Sequence, residues 1–125
     1  MTAQESTTPY EALERIFHEP NRLAIMSALC AEEKGLSFRD LKEITGMTDG
    51  NLNRHLKVLE EAKAVRIKKA FVQDKPRTTV SLSKIGLERF SEYLAALESV
   101  LETARKAMPA EQRTKAPIAA GLATA

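Results

Sequence analysis

Apolar positions recur along this chain with a period that changes from helical to alternating and back. In residues 7–20, TTPYEALERIFHEP, Leu13, Ile16 and Phe17 fall at helical spacing behind Thr8 as a candidate N-cap and Pro9 at the first helical position. This predicts a short first helix, which Pro20 interrupts. A second helix is expected over NRLAIMSALCAEEKG, with Leu23, Met26, Leu29 and Cys30 on one side and Gly35 as its stop. In LSFRDLKEITG, Ser37 is a cap, Phe38, Leu41 and Ile44 form the buried stripe, and Gly46 ends the helix.

Only Gly46-Met47-Thr48 separates that segment from DGNLNRHLKVLEEA, where Thr48 can cap a new helix. Two helices joined by so short a turn form a helix-turn-helix. After Ala62 the period becomes two: Val65, Ile67, Lys69 and Phe71 alternate with Arg66, Lys68 and Ala70, and TTVSL supplies a second β-rich run. The pattern predicts a basic two-stranded hairpin whose loop, VQDKPR, is longer than the tightest turns. From Ser83, a further N-cap, to about Met108, Leu87, Phe90, Leu94, Leu97, Leu101 and Ala104 recur in steps of three and four, the spacing of a coiled-coil seam. A helix of that length spans ~37 Å, more than a small domain needs to cover its own core, so part of it is expected against a second copy of the chain. Residues 109–125 hold no sustained period and are expected to be a disordered tail.

Charge sharpens this picture. The net charge is only +2 over 125 residues, but residues 1–50 carry five Lys/Arg against nine Asp/Glu, whereas residues 51–77 carry eight against three. Positive charge concentrated on a helix and the hairpin after it is the footprint of a polyanionic partner, although a solvated face is the commoner origin of any single charge run. On the second helix of the helix-turn-helix, Leu52, Leu56 and Leu59 share a narrow arc, and Gly50, Asn53, Arg54 and Lys57 lie opposite, flanked by Asn51. Asn can pair bidentately with adenine and Arg with guanine, while Lys meets phosphate or a guanine edge. Gly50 adds no bulk at the helix start, where free N–H groups can meet a phosphate. Asp49 either accepts from cytosine or favours the helix N-terminus, the second being the commoner role. A polar face turned only to water remains the plain alternative. The basic hairpin favours DNA over it, because Lys68, Lys69, Lys75 and Arg77 could track the backbone or an adjacent minor groove while the helix enters the major groove.

The motifs MTDGNLNRHLKVLE and KPRTTVSLSKIG, preceded by PNRLAIMSAL, resemble the compact one-domain members of the MarR/ArsR-like winged helix-turn-helix regulators over about residues 9–105. The resemblance implies a mainly α fold with a small β-hairpin wing and a long C-terminal dimerisation helix. It divides the chain into a flexible N-terminus (1–7), a winged helix-turn-helix domain (8–82), the dimerisation helix (83–108) and the tail. It implies a homodimer on double-stranded operator DNA, acting as a repressor, with Thr48, Asp49, Gly50, Asn51, Asn53, Arg54 and Lys57 on the recognition helix. Lys68, Lys69, Lys75, Pro76, Arg77 and Thr78 fall on the wing, and Leu13, Ile16, Phe17, Leu87, Phe90, Leu94, Leu97 and Leu101 at the dimer interface. Lys63 and Ala64 depart from the pattern, standing where the family usually has Gly and an aromatic; in a left-handed cap, Lys costs ~1 kcal/mol or more relative to Gly.

Other functions find less support. His18, Cys30 and His55 are the only soft metal ligands and are not paired at ligand spacing, so neither a metal nor a cofactor is expected. Cys30 is expected to behave as a small buried hydrophobe, His55 to sit at the border of the Leu face within reach of a phosphate, and His18 to interact with a helix dipole. No Gly-rich phosphate loop or nucleophile elbow is present, and no enzyme is expected. A small-molecule inducer would have room only at a dimer cleft. With no membrane span and no signal peptide in the sequence, the expected location is the cytoplasm. The rival reading is a winged helix that binds protein instead of DNA, since fold alone does not fix function.

Overall fold

The computed structural model describes residues 13–113, so the expected N-terminal segment 1–7 and residues 114–125 of the expected tail lie outside the described residues. Pro20 does not interrupt a helix but begins one. The residue before a proline is pushed out of the α region, and Glu19 is extended at φ −152° and ψ 129°. Its carboxylate caps helix α1, Pro20–Cys30, by accepting the Arg22 N–H at 2.8 Å. The described part of the expected first helix, from residue 13 on, is therefore only a turn closed by the Phe17 and His18 N–H groups on the Glu14 carbonyl. In α1 the inward residues are Ile25, Met26 and Leu29, while Cys30, expected in the core, ends the helix exposed.

Strand β1, Leu36–Ser37, leads into α2, Phe38–Thr45, which Ser37 caps and Gly46 ends in the left-handed conformation at φ 73°. Only Leu41 of the expected stripe is fully buried; Phe38 is half-buried and Ile44 is 60% exposed, its place taken by Met47 in the turn. Helix α3, Asp49–Glu61, starts at Thr48, whose hydroxyl accepts the Asn51 N–H, and buries Leu52, Leu56 and Leu59. Strands β2, Val65–Val72, and β3, Lys75–Leu82, pair along their whole length. The loop between them is tighter than expected: Gln73 and Asp74 alone make the turn, both at positive φ (53° and 64°), the geometry that matches strand twist. The sheet has three strands in the order β1-β3-β2, one more than the predicted hairpin, since the two-residue β1 is too short to show as a period in the sequence and forms by pairing with Val80 and Thr79. Pro76 fits in β3 because it lies beyond the short pairing with β1, where its missing N–H breaks no ladder.

Helix α4, Lys84–Ala107, begins at the expected cap, Ser83. Its first turn is pressed onto the chain leaving α3: a Cβ on Gly86 would overlap the Ala64 carbonyl, so only glycine fits. Ser83 Oγ donates toward the carbonyls of Lys63 and Ala64 and accepts the Gly86 N–H. Farther along, Phe90 and Tyr93 meet Phe17, whose ring stands edge-to-face on Phe90 at 5.4 Å and 70°. Arg89 binds the Glu14 carboxylate and the Ala62 carbonyl, and His18 hydrogen-bonds the Tyr93 hydroxyl rather than a helix end. Burial of Tyr93 raises its pKa.

This packing corrects part of the expected subunit interface. Phe17 and Phe90 are 0% and 1% exposed within one chain and have no surface left for a partner. Leu13, Ile16 and Leu97 pack on the same core, whereas Leu87 and Leu94 stay 50% and 41% exposed. A last turn, α5, Ala110–Arg113, follows Pro109 where no structure was expected. Among the described residues, no helix is long and apolar enough to cross a membrane.

Lys63 is left-handed at φ 65°, the conformation in which a side chain is strained. Lys63→Gly is expected to raise unfolding stability by ~1 kcal/mol, read as a higher denaturation midpoint at unchanged slope.

Candidate nucleic-acid interface

The two sides of α3 are divided as the helical period requires. Leu52, Leu56 and Leu59 are 0–2% exposed, and Asp49, Gly50, Asn51, Asn53, Arg54 and Lys57 are all exposed, with Thr48 exposed ahead of them. The polar residues are not loose. Arg54 Nη2 donates to Asn51 Oδ1 at 3.0 Å, which holds both side chains over the same turn of the helix. The second lone pair of Oδ1 and the other guanidinium N–H groups are left for further partners. Lys42 of α2 reaches Asp49 Oδ1 at 2.8 Å, so the carboxylate ties the two helices of the motif together as well as lying at the α3 N-terminus. Gly50 has open space around it: a Cβ there would meet nothing within 4 Å. Nothing inside the fold requires glycine at this position.

His55 departs from expectation. It is 4% exposed, turned under α3 toward the start of α1 and away from any phosphate. Arg22 anchors this junction, donating through Nε to the Ile16 carbonyl at 2.7 Å and lying 3.2 Å from His55 Nδ1 through Nη1. A guanidinium can only donate, so Nδ1 is the acceptor and the hydrogen sits on Nε2, which finds no partner among the described residues. Burial lowers the His55 pKa, Arg54 and Arg22 lower it further, and the nearby Glu19 carboxylate opposes them. The imidazole is neutral at pH 7 and serves as the contact between recognition helix and α1. For Glu19, burial alone would raise the pKa, but the Arg22 N–H and the neighbouring positive charge outweigh it.

The wing residues fall on two faces of the hairpin. Lys69 pairs with Thr78 on the face that turns toward α3, whereas Lys68 pairs with Thr79 and Arg77 with Ala70 on the opposite face. Between α3 and the first face runs an open groove of about 560 Å³, with Asn53 and Lys57 on one side, Lys69 and Thr78 on the other, and Phe38, Leu56 and Ile67 along its floor. Glu60 closes one end, where it would repel a polyanion. A second groove, about 600 Å³, lies between the start of α2 and the wing and brings Arg39 beside Lys75, Pro76 and Arg77. Arg39 escaped the sequence reading because it is an isolated charge on the first helix of the motif; only the tertiary fold sets it beside the basic hairpin. Among the described residues, no group of three or more His, Cys, Asp or Glu side chains could hold a metal ion.

The arrangement is therefore a helix with an exposed Asn/Arg/Lys face, an open groove with Lys57 and Lys69 on its two sides, and a hairpin beyond it. Comparison with known proteins agrees with this geometry. The sequence profile described as a winged helix DNA-binding domain matches residues 21–101. An uncharacterized protein of Methanocaldococcus jannaschii is 35% identical over 80 residues, covering 64% of this chain and 86% of its own. The solved structure of a transcriptional regulator homologue from Pyrococcus horikoshii superposes with a TM-score of 0.70 at 30% identity, covering 76% of this chain and 94% of that one. The fold is shared as well with a mutant of the S. aureus protein MepR bound to an oligodeoxyribonucleotide, at TM-score 0.60 and 16% identity over 98% of this chain and 86% of that one. With the helix-turn-helix, the three-stranded wing and the long last helix all in place, the chain belongs to the winged helix DNA-binding domain family.

Proposed function

We propose that this chain is a homodimeric transcriptional repressor that occupies a near-palindromic operator. The observation that carries the reading is the exposed set Asn51, Asn53, Arg54 and Lys57 on one side of α3, of which Asn53 and Lys57 face Lys69 and Thr78 across a groove. With α3 in the major groove, Asn51, Asn53 and Arg54 read base edges, while Lys57 and Lys69 take the phosphates of the strand that passes between helix and wing. Repression follows from occupancy of the operator, with no second domain required.

The dimer is supported by α4. Leu87, Leu94 and Leu101 are spaced seven residues apart, and the first two are 50% and 41% exposed. The helix is 24 residues long, and most of its last turns, from Glu98 on, have little of the core against them among the described residues. An apolar stripe of this spacing is covered by a second helix of the same kind. A two-fold dimer would set the two recognition helices on half-sites about one DNA turn, ~10 bp, apart.

The decisive experiment incubates the purified chain with fragmented genomic DNA at physiological ionic strength, where exposed charges are screened beyond ~8 Å, and sequences what is retained. Enrichment of a near-palindromic site that Arg54→Ala abolishes is the expected result; uniform retention by both proteins would refute base readout. Gly50→Ala is expected to divide stability from binding: the fold should gain ~0.5–1 kcal/mol, since helix formation favours Ala, while operator affinity falls because the added methyl holds the helix off the groove floor. Unchanged affinity would place the helix start away from DNA. Leu94→Glu should convert the dimer to a monomer in sedimentation at micromolar concentration with its helical circular dichroism intact.

A further inference from the structure

One face of the β2–β3 hairpin changes character from base to tip. Ile67 pairs with Val80, which is wholly buried; Lys69 and Thr78 come next and line the groove beside α3; Phe71 and Pro76 form the last apolar pair on that face. The inner pair is covered by the domain. The outer one is not: Phe71 is 76% exposed, the largest exposure of any large hydrophobic side chain among the described residues. A single exposed apolar side chain is common on protein surfaces, so it is the setting of Phe71 that distinguishes it.

The surroundings of Phe71 select the occupant. Lys69 shares the face of Phe71, Lys68, Lys75 and Arg77 lie on the other face of the same two strands, and Asp74 in the turn is the hairpin's only acidic residue. A second copy docking wing to wing would bring these cations together, and a membrane-like apolar surface would leave them without counter-charge. A polyanion with an apolar interior satisfies both features, and a nucleic-acid duplex has that structure: charged backbone outside, stacked bases within.

We propose that Phe71 is a wedge that enters the minor groove beside the recognition helix and opens a base step there, a proposal that rests on the DNA-binding reading above. The groove between α3 and Lys69 is where a strand's phosphates pass, and that strand separates the major groove under α3 from the minor groove under the wing. Phe71 lies two residues beyond Lys69, ~7 Å along the strand, far enough to reach past the phosphates. The hairpin is stiff at this point, paired through Val72↔Lys75 and closed by a two-residue turn with Pro76 opposite the ring. Apolar side chains of this kind kink DNA by partly unstacking a step, and the pyrimidine–purine steps TA and CA/TG yield most readily. Phe71 would thus select sequence at a position where no hydrogen bond is made.

The test selects binding sites from a pool of random-sequence duplexes with the full chain, with Phe71→Ala and with Phe71→Leu, and measures the bend of each recovered site by circular permutation. The native chain and Phe71→Leu should recover sites with pyrimidine–purine steps at a fixed distance outside each half-site and a bend at that step. Phe71→Ala should keep the half-site motif, lose the flanking preference and the bend, and bind the native site about tenfold more weakly. Equal flanking sequence and bend for the native chain and Phe71→Ala would overturn the wedge while leaving DNA recognition intact. A dimer that falls apart on Phe71→Ala would overturn it in favour of a contact between copies, and failure of the native chain to recover any site would remove both readings.

Discussion

The contact between Gly86 and the backbone of Ala64 is the constraint through which the rest of the molecule is aligned. Three elements meet there: the end of the recognition helix, the first residue of the wing and the first turn of the last helix. Because a methyl group on Gly86 would collide with the Ala64 carbonyl, the approach admits no other residue. Ser83 fastens the same point, with its hydroxyl turned to the carbonyls of Lys63 and Ala64. The left-handed Lys63 is part of this junction and carries strain that the hydrogen bonds offset. Rotating this joint by a few degrees would change the angle between α3 and the wing and the direction in which α4 leaves the domain, and with them the width of the groove.

Around that joint the recognition helix is held from below and ordered from above. Below, neutral His55 and Arg22 couple α3 to the segment before α1, so the helix cannot tilt without exposing a buried imidazole. Above, the Arg54–Asn51 and Lys42–Asp49 contacts limit the conformations that the polar side chains sample in the free protein. Both pairs are exposed and therefore weak in water, so each can be exchanged for other partners at little cost.

Helix α4 divides one stripe between two surfaces. The seam read in the sequence is real as a period, but Phe90 and Leu97 turn to the chain's own core, with Tyr93 beside them, while Leu87 and Leu94 face outward. A one-dimensional pattern cannot separate these roles, because positions three and four residues apart lie within the same arc of the helix whichever surface covers them. Burial inside the chain is decided by the position of Phe17, which comes from a segment about 70 residues earlier.

What the sequence by itself determined is local: the caps Ser37, Thr48 and Ser83, the Gly46 turn, the opposed Leu and polar faces of α3, the alternation of the wing and the extent of α4. Each of these depends on neighbours within one or two turns, so its signal lies in adjacent residues. The tertiary structure decided what requires distant partners: the two-residue β1, the exposure of Ile44 and Cys30, the burial of His55, and the placing of Arg39 beside the wing. The candidate interface shows the same division. Its side chains could be chosen from helical spacing and charge, but the groove that sets Lys57 opposite Lys69 exists only in the folded chain, where the hairpin lies beside the helix.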